Sequence, residues 1–301
     1  MQALTLFVTI VASDRWISDR PSRRELGARI AHLTFEPVAL DPAGFAGMRV
    51  AGAWTVTSDD PRFGGVSALA VDPAGLLALT DWGVIIRFPR PRGRNALASI
   101  RELPGGPGDP RYKSSRDSEA LVRDPLGRGW WVGFEVRNQL WRYDRDFRRP
   151  LEALRFGKGR WRRNRGIEAL ASDGSALLLI PESGRSVIRI TGGSQLRLPI
   201  ENPRGRLSDA VRLPSGRLAV VHRNWTLAGF SNTLSTLQRT ARGYRIVGTR
   251  RLGVGVLDNV EALASERLAD GRVRLWLMTD NNFQRPLRTL LVAVDLPQAA
   301  G

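Results

Sequence analysis

The sequence predicts an all-β chain folded as a β-propeller with five blades. A pattern of short apolar runs separated by turn residues recurs five times along the chain. The copies lie about 40–50 residues apart, which is the spacing of propeller blades. No long stretch of the sequence has helical periodicity. A six-bladed propeller is the alternative, in which residues 28–58 form a blade of their own.

The first 27 residues are predicted to lie outside the propeller. Ala3–Ala12 is an apolar run of about ten residues, too short to cross a bilayer. It resembles the apolar core of a secretory signal, so we expect a leader over residues 1–13 and a periplasmic or secreted protein. A buried first strand is the alternative. Residues 14–27 are polar and arginine-rich and are predicted to be a linker, which leaves residues 28–301 as one domain.

The repeats are aligned on the residue that precedes the first apolar run of each copy. Turn sequences such as DPAG, DPLG, SDGS, LPSG and ADGR separate the first two runs, and Asp, Pro and Gly favour such turns. The five alignment positions are Ser67, Ser118, Ile167, Ser208 and Val260. The last copy contains only about three strands. We expect the strand MRVAGAWTVT near the N-terminus to complete its sheet, which would remove exposed sheet edges.

Composition excludes several kinds of site. The chain has no cysteine, which excludes disulfides and thiolate metal sites. His32 and His222 are the only histidines, so a multi-histidine zinc centre is excluded. The net charge is +17, and nearly all the basic residues are arginine. Arginine suits phosphate and carboxylate groups, although such a bias can also reflect genomic composition.

Acidic residues recur just after the alignment positions. The first strand of each propeller blade lines the central channel, so equivalent positions form a ring. This ring is predicted to contain Ala68, Glu119, Glu168, Asp209 and Glu261. A second set follows the second apolar run, and it consists of Asp81, Glu135, Glu182 and Asp280, with His222-Arg223 in the fourth repeat.

Crowded carboxylates need compensation by cations, arginines or protons. An oxygen-rich cluster without histidine or cysteine suits a hard cation, Ca²⁺ before Mg²⁺. The alternative is a purely structural ring, whose carboxylates accept backbone hydrogen bonds and pair with arginine. Neighbouring polar residues could bind an anionic substrate. They include Asn138, Asn224, Asn281, Asn282, Arg137, Arg185 and Arg285.

Several segments, in this order, resemble the phytase-like domain family, which is described as having esterase-like activity. They are DSEALV, FEVRNQLWRYD, NRGIEALA, SDAVRLPSGRL, DNVEALA and TDNNFQRPLRTLLVAVDL. The resemblance covers about residues 62–296. It implies a propeller, often found in exported bacterial proteins and related to calcium-dependent phytases.

The resemblance also implies site residues by position. They are Asp117, Glu119, Glu135, Asn164, Glu168, Glu182, Asp209, Asp258, Glu261, Asp280 and Asn282. The chain departs from the family pattern in the fourth repeat, where VVHRNW replaces an expected glutamate-arginine. His222 could act there as a base, although a lone histidine near a strand end more often forms ordinary hydrogen bonds.

These observations predict a hydrolase that acts on a phosphate or other ester through a calcium-binding acidic cluster. The predicted metal ligands are Asp117, Glu119, Glu168, Glu182, Asp209, Glu261 and Asp280. The predicted catalytic residues are His222 and Glu135, and the predicted substrate-binding residues are Arg137, Arg165, Arg223, Arg285 and Asn282. A non-catalytic propeller that binds a ligand or protein on its loop face is the alternative. We expect a monomer that binds a small anionic ester, without nucleic acid or an integral membrane span.

Overall fold

A computed structural model describes residues 27–157, 166–226, 229–253, 257, 259–283 and 287–297. Within these residues nearly all regular structure is β-strand. The predicted leader and most of the predicted linker lie outside them. No helix in the described part of the chain is long and apolar enough to cross a membrane.

Two N-terminal strands precede the repeated part of the chain. They are β1 (Arg29–Pro37) and β2 (Arg49–Ser58), joined through a short 3-10 helix at Pro42–Phe45. Asp41 caps this helix by accepting a hydrogen bond from the backbone N–H of Ala43 at 2.9 Å.

Five antiparallel meanders follow, and each corresponds to one copy of the sequence repeat. Meander 1 contains β3 (Val66–Asp72), β4 (Gly75–Thr80), β5 (Val84–Phe88) and β6 (Asn95–Glu102). Meander 2 contains β7 (Ser118–Arg123), β8 (Trp130–Phe134), β9 (Gln139–Tyr143) and β10 (Pro150–Arg155). Meander 3 contains β11 (Ile167–Asp173), β12 (Ala176–Pro181), β13 (Ser186–Thr191) and β14 (Ser194–Glu201). Meander 4 contains β15 (Arg206–Arg212), β16 (Leu218–Thr226), β17 (Gly229–Arg239) and β18 (Tyr244–Leu252). Meander 5 contains β19 (Asn259–Arg267), β20 (Val273–Asp280) and β21 (Leu290–Asp295).

The N-terminal strands join the last meander to the first. Strand β2 pairs with β21 and supplies the fourth strand of meander 5, as the sequence predicted. Strand β1 pairs with β2 on one side and with β6 on the other. The result is a continuous nine-stranded sheet that runs from β19 to β3. Strand β2 covers the edge of β21, and β1 covers the edge of β6. Within the described residues, no open strand edge therefore remains between meanders 5 and 1.

The first strands of the meanders surround a common axis. Strand β3 contacts β7 and β19, β11 contacts β7 and β15, and β15 contacts β19. The contacts therefore close into a ring. This arrangement is a β-propeller, in agreement with the fold class predicted from the sequence.

The core lies between neighbouring meanders because their inner strands are apolar on both faces. In β4, Leu76 and Ala78 pack towards β1 and meander 5, whereas Leu77 and Leu79 pack towards meander 2. Successive side chains of a strand point to opposite faces, so one strand contributes to two interfaces. Trp130 packs between meanders 1 and 2.

One short helix, α1 (Lys113–Arg116), lies in the segment that enters meander 2. It is a single turn and ends one residue before Asp117. It places the side chain of Lys113 beside the first acidic residues of that meander.

Candidate active site

A β-bulge occurs near the start of every first strand. In β7, for example, Ser118 pairs with Phe134 and Ala120 pairs with Gly133, so Glu119 is the extra residue. A bulge re-aims its side chain away from the regular alternation of the strand. The bulged residues of the five meanders are Ser67, Glu119, Glu168, Ser208 and Glu261.

The bulges correct the sequence alignment in the first and fourth repeats. Asp209 is the residue after its bulge, and it is equivalent to alanines in the other meanders, not to Glu119. Its two oxygens accept hydrogen bonds from the backbone N–H groups of Ala210 and Leu263, both at 2.7 Å. The structure therefore places Asp209 between β15 and β19, outside the ring of bulged residues. Ser208 occupies the ring position, and its hydroxyl donates to the carbonyl of Val260 at 2.8 Å.

A second ring lies at or near the C-terminal ends of the second strands. On each second strand, one residue pairs with the residue that precedes the bulge of the first strand. The next residue along the chain is the member of the second ring. The members are Asp81, Glu135, Glu182, Arg223 and Asp280. Four of the five are acidic, as the sequence predicted, and the fourth meander supplies Arg223.

The tightest acidic group involves Asp117, Glu119 and Glu135. One carboxylate oxygen from each residue lies within 4.8 Å of the others. Asp117 and Glu135 are buried and Glu119 is half-buried. Glu135 also accepts a hydrogen bond from the backbone N–H of Gly166 at 3.1 Å. A Cβ at Gly166 would lie 2.5 Å from Oδ1 of Asn138, so only glycine allows this close approach.

Lys113 is a cation built into this acidic group. Its Nζ lies 2.7 Å from Oδ1 of Asp117 and 3.0 Å from Oδ2 of Asp81. The lysine therefore joins a carboxylate of meander 1 to one of meander 2. Lys113 was not predicted as a site residue from the sequence. Lysine is rare in this chain, which has only Lys113 and Lys158 among its many arginines, and this rarity could have drawn attention to it.

Arginines compensate the opposite part of the ring. Arg223 forms a close ion pair with Glu261, and its Nη1 donates to Oδ1 of Asn259 at 2.9 Å. Asn259 in turn donates to Oε1 of Glu261 at 2.6 Å. Arg206 lies 3.3 Å from Glu182. We call the eight carboxylates and these three cations the axial cluster: Asp81, Asp117, Glu119, Glu135, Glu168, Glu182, Glu261 and Asp280, with Lys113, Arg206 and Arg223.

Burial and mutual repulsion raise the pKa values of several members of the axial cluster. Burial, followed by the charge of Asp117, raises the pKa of Glu135 to about 8. Burial and the charge of Asp81 raise the pKa of Asp280 to about 7. The pKa values of Glu119 and Glu168 are also raised, first by burial and then by Asp117 and Glu135 respectively. The carboxyl groups thus lack sufficient positive charge to stay ionised together at neutral pH.

The axial cluster has the donor chemistry of a hard divalent cation. Asp117, Glu119 and Glu135 offer only oxygen ligands, and they lie close enough together to share one ion. Burial and neighbouring charges raise the pKa values of Glu119 and Glu135, so an added positive charge would be stabilised at this position. The residues therefore fit the cation that the sequence predicted.

The other predicted site residues lie at different places around the axis. Arg137 is exposed and donates to the hydroxyl of Ser115 at 2.8 Å, next to α1. The backbone N–H of Asn282 donates to Asp280 at 2.7 Å. Arg165, Arg285, Asn164 and Asp258 lie outside the described residues.

His222 is buried in the protein. Only 3% of its surface is exposed, and neither ring nitrogen has a hydrogen-bond partner among the described residues. In the sheet His222 pairs with Leu207, and the residue after Leu207 is the bulged residue Ser208. Burial, with a smaller contribution from Arg204, lowers the pKa of His222 to about 4. His222 is therefore a neutral side chain with no face open to a substrate, which argues against its predicted role as a base.

Comparisons with known proteins agree with this architecture. A family model named phytase-like, with the description "Esterase-like activity of phytase", matches residues 61–283. The glutaminyl cyclase of Myxococcus xanthus is 11% identical, has a TM-score of 0.54, and covers 83% of this chain and 97% of its own. The virginiamycin B lyase of Staphylococcus aureus, solved as an inactive variant, is 12% identical with a TM-score of 0.45, and covers 88% of this chain and 100% of its own.

At 11% identity the likeness to the glutaminyl cyclase concerns the fold alone. Among curated proteins, none matches the sequence. The family model spans most of the five meanders and includes both acidic rings. The chain therefore belongs to the phytase-like family described by esterase-like activity of phytase.

Proposed function

We propose that the protein is a divalent-cation-dependent hydrolase that cleaves a phosphate or other ester at the axial cluster. The observation that carries this proposal is the convergence of carboxylate oxygens of Asp117, Glu119 and Glu135 within 4.8 Å of one another, with Asp117 and Glu135 buried and Glu119 half-buried. Membership of the phytase-like family supports the same reaction class. The proposed cation is Ca²⁺, because all the ligands are hard oxygens.

Each nearby residue has a proposed task. Asp117, Glu119 and Glu135 would hold the cation, which would polarise the ester oxygen and lower the pKa of a bound water. Without the cation the pKa of Glu135 is about 8, so binding of the cation near neutral pH would displace a proton from this carboxyl group. Arg137 is exposed at the rim, where its guanidinium can bind the anionic group of the substrate.

Two measurements on the purified full chain test the proposal. The melting temperature should rise when Ca²⁺ replaces chelator, and the protein should hydrolyse phytate or a generic phosphomonoester only with the cation. Glu119→Gln should reduce both effects, because it removes one charge from the acidic group. Asp270→Asn, at an exposed turn, is the matched control. A melting temperature and a hydrolysis rate that do not respond to any divalent cation would refute the proposal.

A second candidate is a non-catalytic propeller that binds a ligand on the same face. It is favoured by the built-in cations, since Lys113 and Arg223 already compensate part of the ring. A stabilising response to Ca²⁺ without turnover of either substrate would support this candidate over the hydrolase.

We also propose that the propeller has five blades, each formed by one meander. Five first strands contact one another around the axis, and five apolar clusters lie between neighbouring meanders. Residues 28–58 form β1 and β2, which join meanders 5 and 1, so the described chain offers no separate sixth sheet. A crystal structure with a sixth independent sheet would contradict this count.

A further inference from the structure

A cavity of about 250 Å³ lies between meanders 1 and 2. Ile85, Arg87, Ser99 and Arg101 line it from β5 and β6. Residues 146–148, in the hairpin that joins β9 to β10, line it from the other side. This hairpin lies at the opposite end of meander 2 from the loop of Glu135, because consecutive antiparallel strands connect at alternate ends. The cavity is therefore separate from the axial cluster.

Two arginines of the cavity are held in place by the backbone of the hairpin. Nη1 of Arg101 donates to the carbonyl of Asp146 at 2.7 Å and to that of Phe147 at 3.4 Å. Nη2 of Arg87 donates to the carbonyl of Arg145 at 3.1 Å. These bonds fix both guanidinium planes before any ligand arrives, which lowers the entropic cost of binding.

Phe147 gives the hairpin an uncommon backbone conformation at this point. Phe147 has a left-handed backbone conformation (φ 53°), which is uncommon for a residue other than glycine. Its ring is buried between Trp130 and Tyr143, with centroid distances of 6.2 and 5.9 Å. Packing of the ring therefore maintains a conformation that the backbone alone would disfavour.

The arginines retain donors that the protein does not use. Nε of Arg87 is buried and has no hydrogen-bond partner within the described part of the chain. The hydrogen bonds that Arg101 makes to described residues all come from Nη1. Arg148 is 76% exposed, and its nearest carboxylate, Asp146, is 4.0 Å away. The accessible donors are therefore those of the Arg148 guanidinium, whereas the buried Nε of Arg87 shows that this side chain is not fully compensated by the protein.

The carboxylates near the cavity do not satisfy these donors. Asp72 and Asp146 lie 3.6 and 3.9 Å from the guanidinium of Arg87, beyond hydrogen-bond distance. Three arginines thus face two carboxylates, and one of these, Asp146, is 61% exposed. The cavity has a net positive charge, a hydroxyl at Ser99 and an apolar floor at Phe147.

We propose that this cavity binds a tetrahedral oxyanion, namely the phosphate or sulfate group of a small ester. Guanidinium groups match such oxygens in geometry and charge. The volume is below the roughly 300–1,000 Å³ of pockets for drug-sized ligands, so the ligand is small. The site does not depend on the proposed hydrolase activity.

Calorimetric titration of the full chain with inorganic phosphate and with inorganic sulfate tests the site. Chelator is present throughout, which keeps cations out of the axial cluster, and chloride maintains constant ionic strength. We expect saturable binding of at least one of the two anions. Arg148→Gln should weaken it about tenfold, because it removes an exposed charge without disturbing the hairpin. Asp146→Asn should strengthen it, since a competing negative charge is lost.

Two further variants complete the design. Arg189→Gln removes an arginine from β13 in meander 3, remote from the cavity, and should leave the affinity unchanged. Arg87→Gln should abolish binding while circular dichroism reports an intact fold. Absence of saturable binding in the wild type, or equal affinities for Arg148→Gln and Arg189→Gln, would overturn the proposal. Stronger binding of phosphate than of sulfate would identify the ester as a phosphate.

Discussion

At the scale of single residues, Asp209 shows that a buried carboxylate near the axis can be structural. Its oxygens bind two backbone N–H groups, one of them Leu263 in the neighbouring meander. In this way Asp209 joins meander 4 to meander 5. The equivalent position in the other meanders is alanine, as at Ala120 and Ala262.

The role of Asp209 can be separated from metal binding by Asp209→Ala. This change leaves the N–H of Leu263 without its partner, so we expect the free energy of unfolding to fall by about 1–3 kcal/mol. The response of the melting temperature to Ca²⁺ should remain that of the wild type. Urea denaturation with and without Ca²⁺ measures both quantities. Loss of the Ca²⁺ response in this variant would show that Asp209 is a ligand after all.

His222 makes the stability of the fold depend on pH. The folded protein holds its pKa at about 4, against an unfolded value of 6.5, because burial disfavours the charged ring. The unfolded chain therefore binds this proton more readily, and stability falls as the pH drops from about 6.5 towards 4. The difference of about 2.5 pKa units corresponds to roughly 3 kcal/mol.

His222→Leu should reduce this loss of stability at low pH, because leucine cannot bind a proton. The free energy of unfolding, measured by urea denaturation at pH 7 and pH 4.5, should differ less in the variant than in the wild type. His32→Gln is the control, since His32 lies on an exposed strand position. An unchanged difference between the two pH values in His222→Leu would contradict the prediction.

The bulges explain why the acidic rings were predicted only in part. Ser67, Ser118 and Ser208 all precede an apolar run, so the sequence aligns them with one another. In the structure Ser67 and Ser208 occupy the bulge, whereas Ser118 stands one residue before it. A one-residue slip moves a side chain to the other face of a strand. Backbone irregularity of this kind leaves no clear trace in residue composition.

At the scale of elements, the N-terminal strands carry much of the closure of the ring. Strand β1 buries Ala31, Leu33 and Phe35 in the cluster between meanders 5 and 1. The sequence predicted β2 as the closing strand, from its apolar run and the incomplete last repeat. It did not predict that β1 pairs with β6, because a fifth strand on a blade has no counterpart in the other repeats.

Truncation of a buried side chain in β1 should weaken this closure. For Phe35→Ala we expect the free energy of unfolding to fall by about 3–5 kcal/mol, from lost burial and the cavity left behind. Glu36→Ala, at the neighbouring exposed position, should change it little. Thermal or urea denaturation followed by tryptophan fluorescence compares the two. Equal stabilities of the variants would show that β1 contributes little to closing the ring.

The entry to β11 fixes the position of Glu135. A methyl group at residue 166 would lie 2.5 Å from Oδ1 of Asn138 and 2.8 Å from the carbonyl of Glu135. We therefore expect Gly166→Ala to displace Glu135 and to lower the affinity for Ca²⁺ severalfold. Gly248→Ala, where an added Cβ meets nothing within 4 Å, is the matched control. Calcium titration by calorimetry measures the effect, and equal affinities in the two variants would contradict it.

At the scale of the whole molecule, charge is separated between the axis and the rest of the chain. The chain carries a net charge of +17, whereas the axial cluster sets eight carboxyl groups against three cations. The sequence predicted this acidic axis, because the acidic residues recur with the repeat. It could not predict which carboxylates are compensated internally, since Lys113 and Arg206 precede the repeat positions and meet them only in the fold.

Arg223 acts as a fixed cation at this axis. It occupies a ring position that is acidic in the other four meanders, and it pairs with Glu261. Its charge also lowers the pKa values of Glu168 and Asp280, against the larger effect of burial. An arginine that compensates carboxylates competes with any cation for the same negative potential.

Arg223→Gln should therefore strengthen binding of Ca²⁺ to the axial cluster and weaken the fold in chelator. Removal of the guanidinium leaves Glu261 without its positive partner, and an added divalent ion then relieves more repulsion. Calorimetric titration should show a lower dissociation constant, and the gain in melting temperature on adding Ca²⁺ should exceed that of the wild type. Arg142→Gln is the matched control. Arg142 forms an ion pair with Glu152, with 2.9 Å between nitrogen and oxygen, and this pair lies away from the axis. Weaker Ca²⁺ binding in Arg223→Gln than in Arg142→Gln would show that Arg223 organises the ligands rather than competing with the ion.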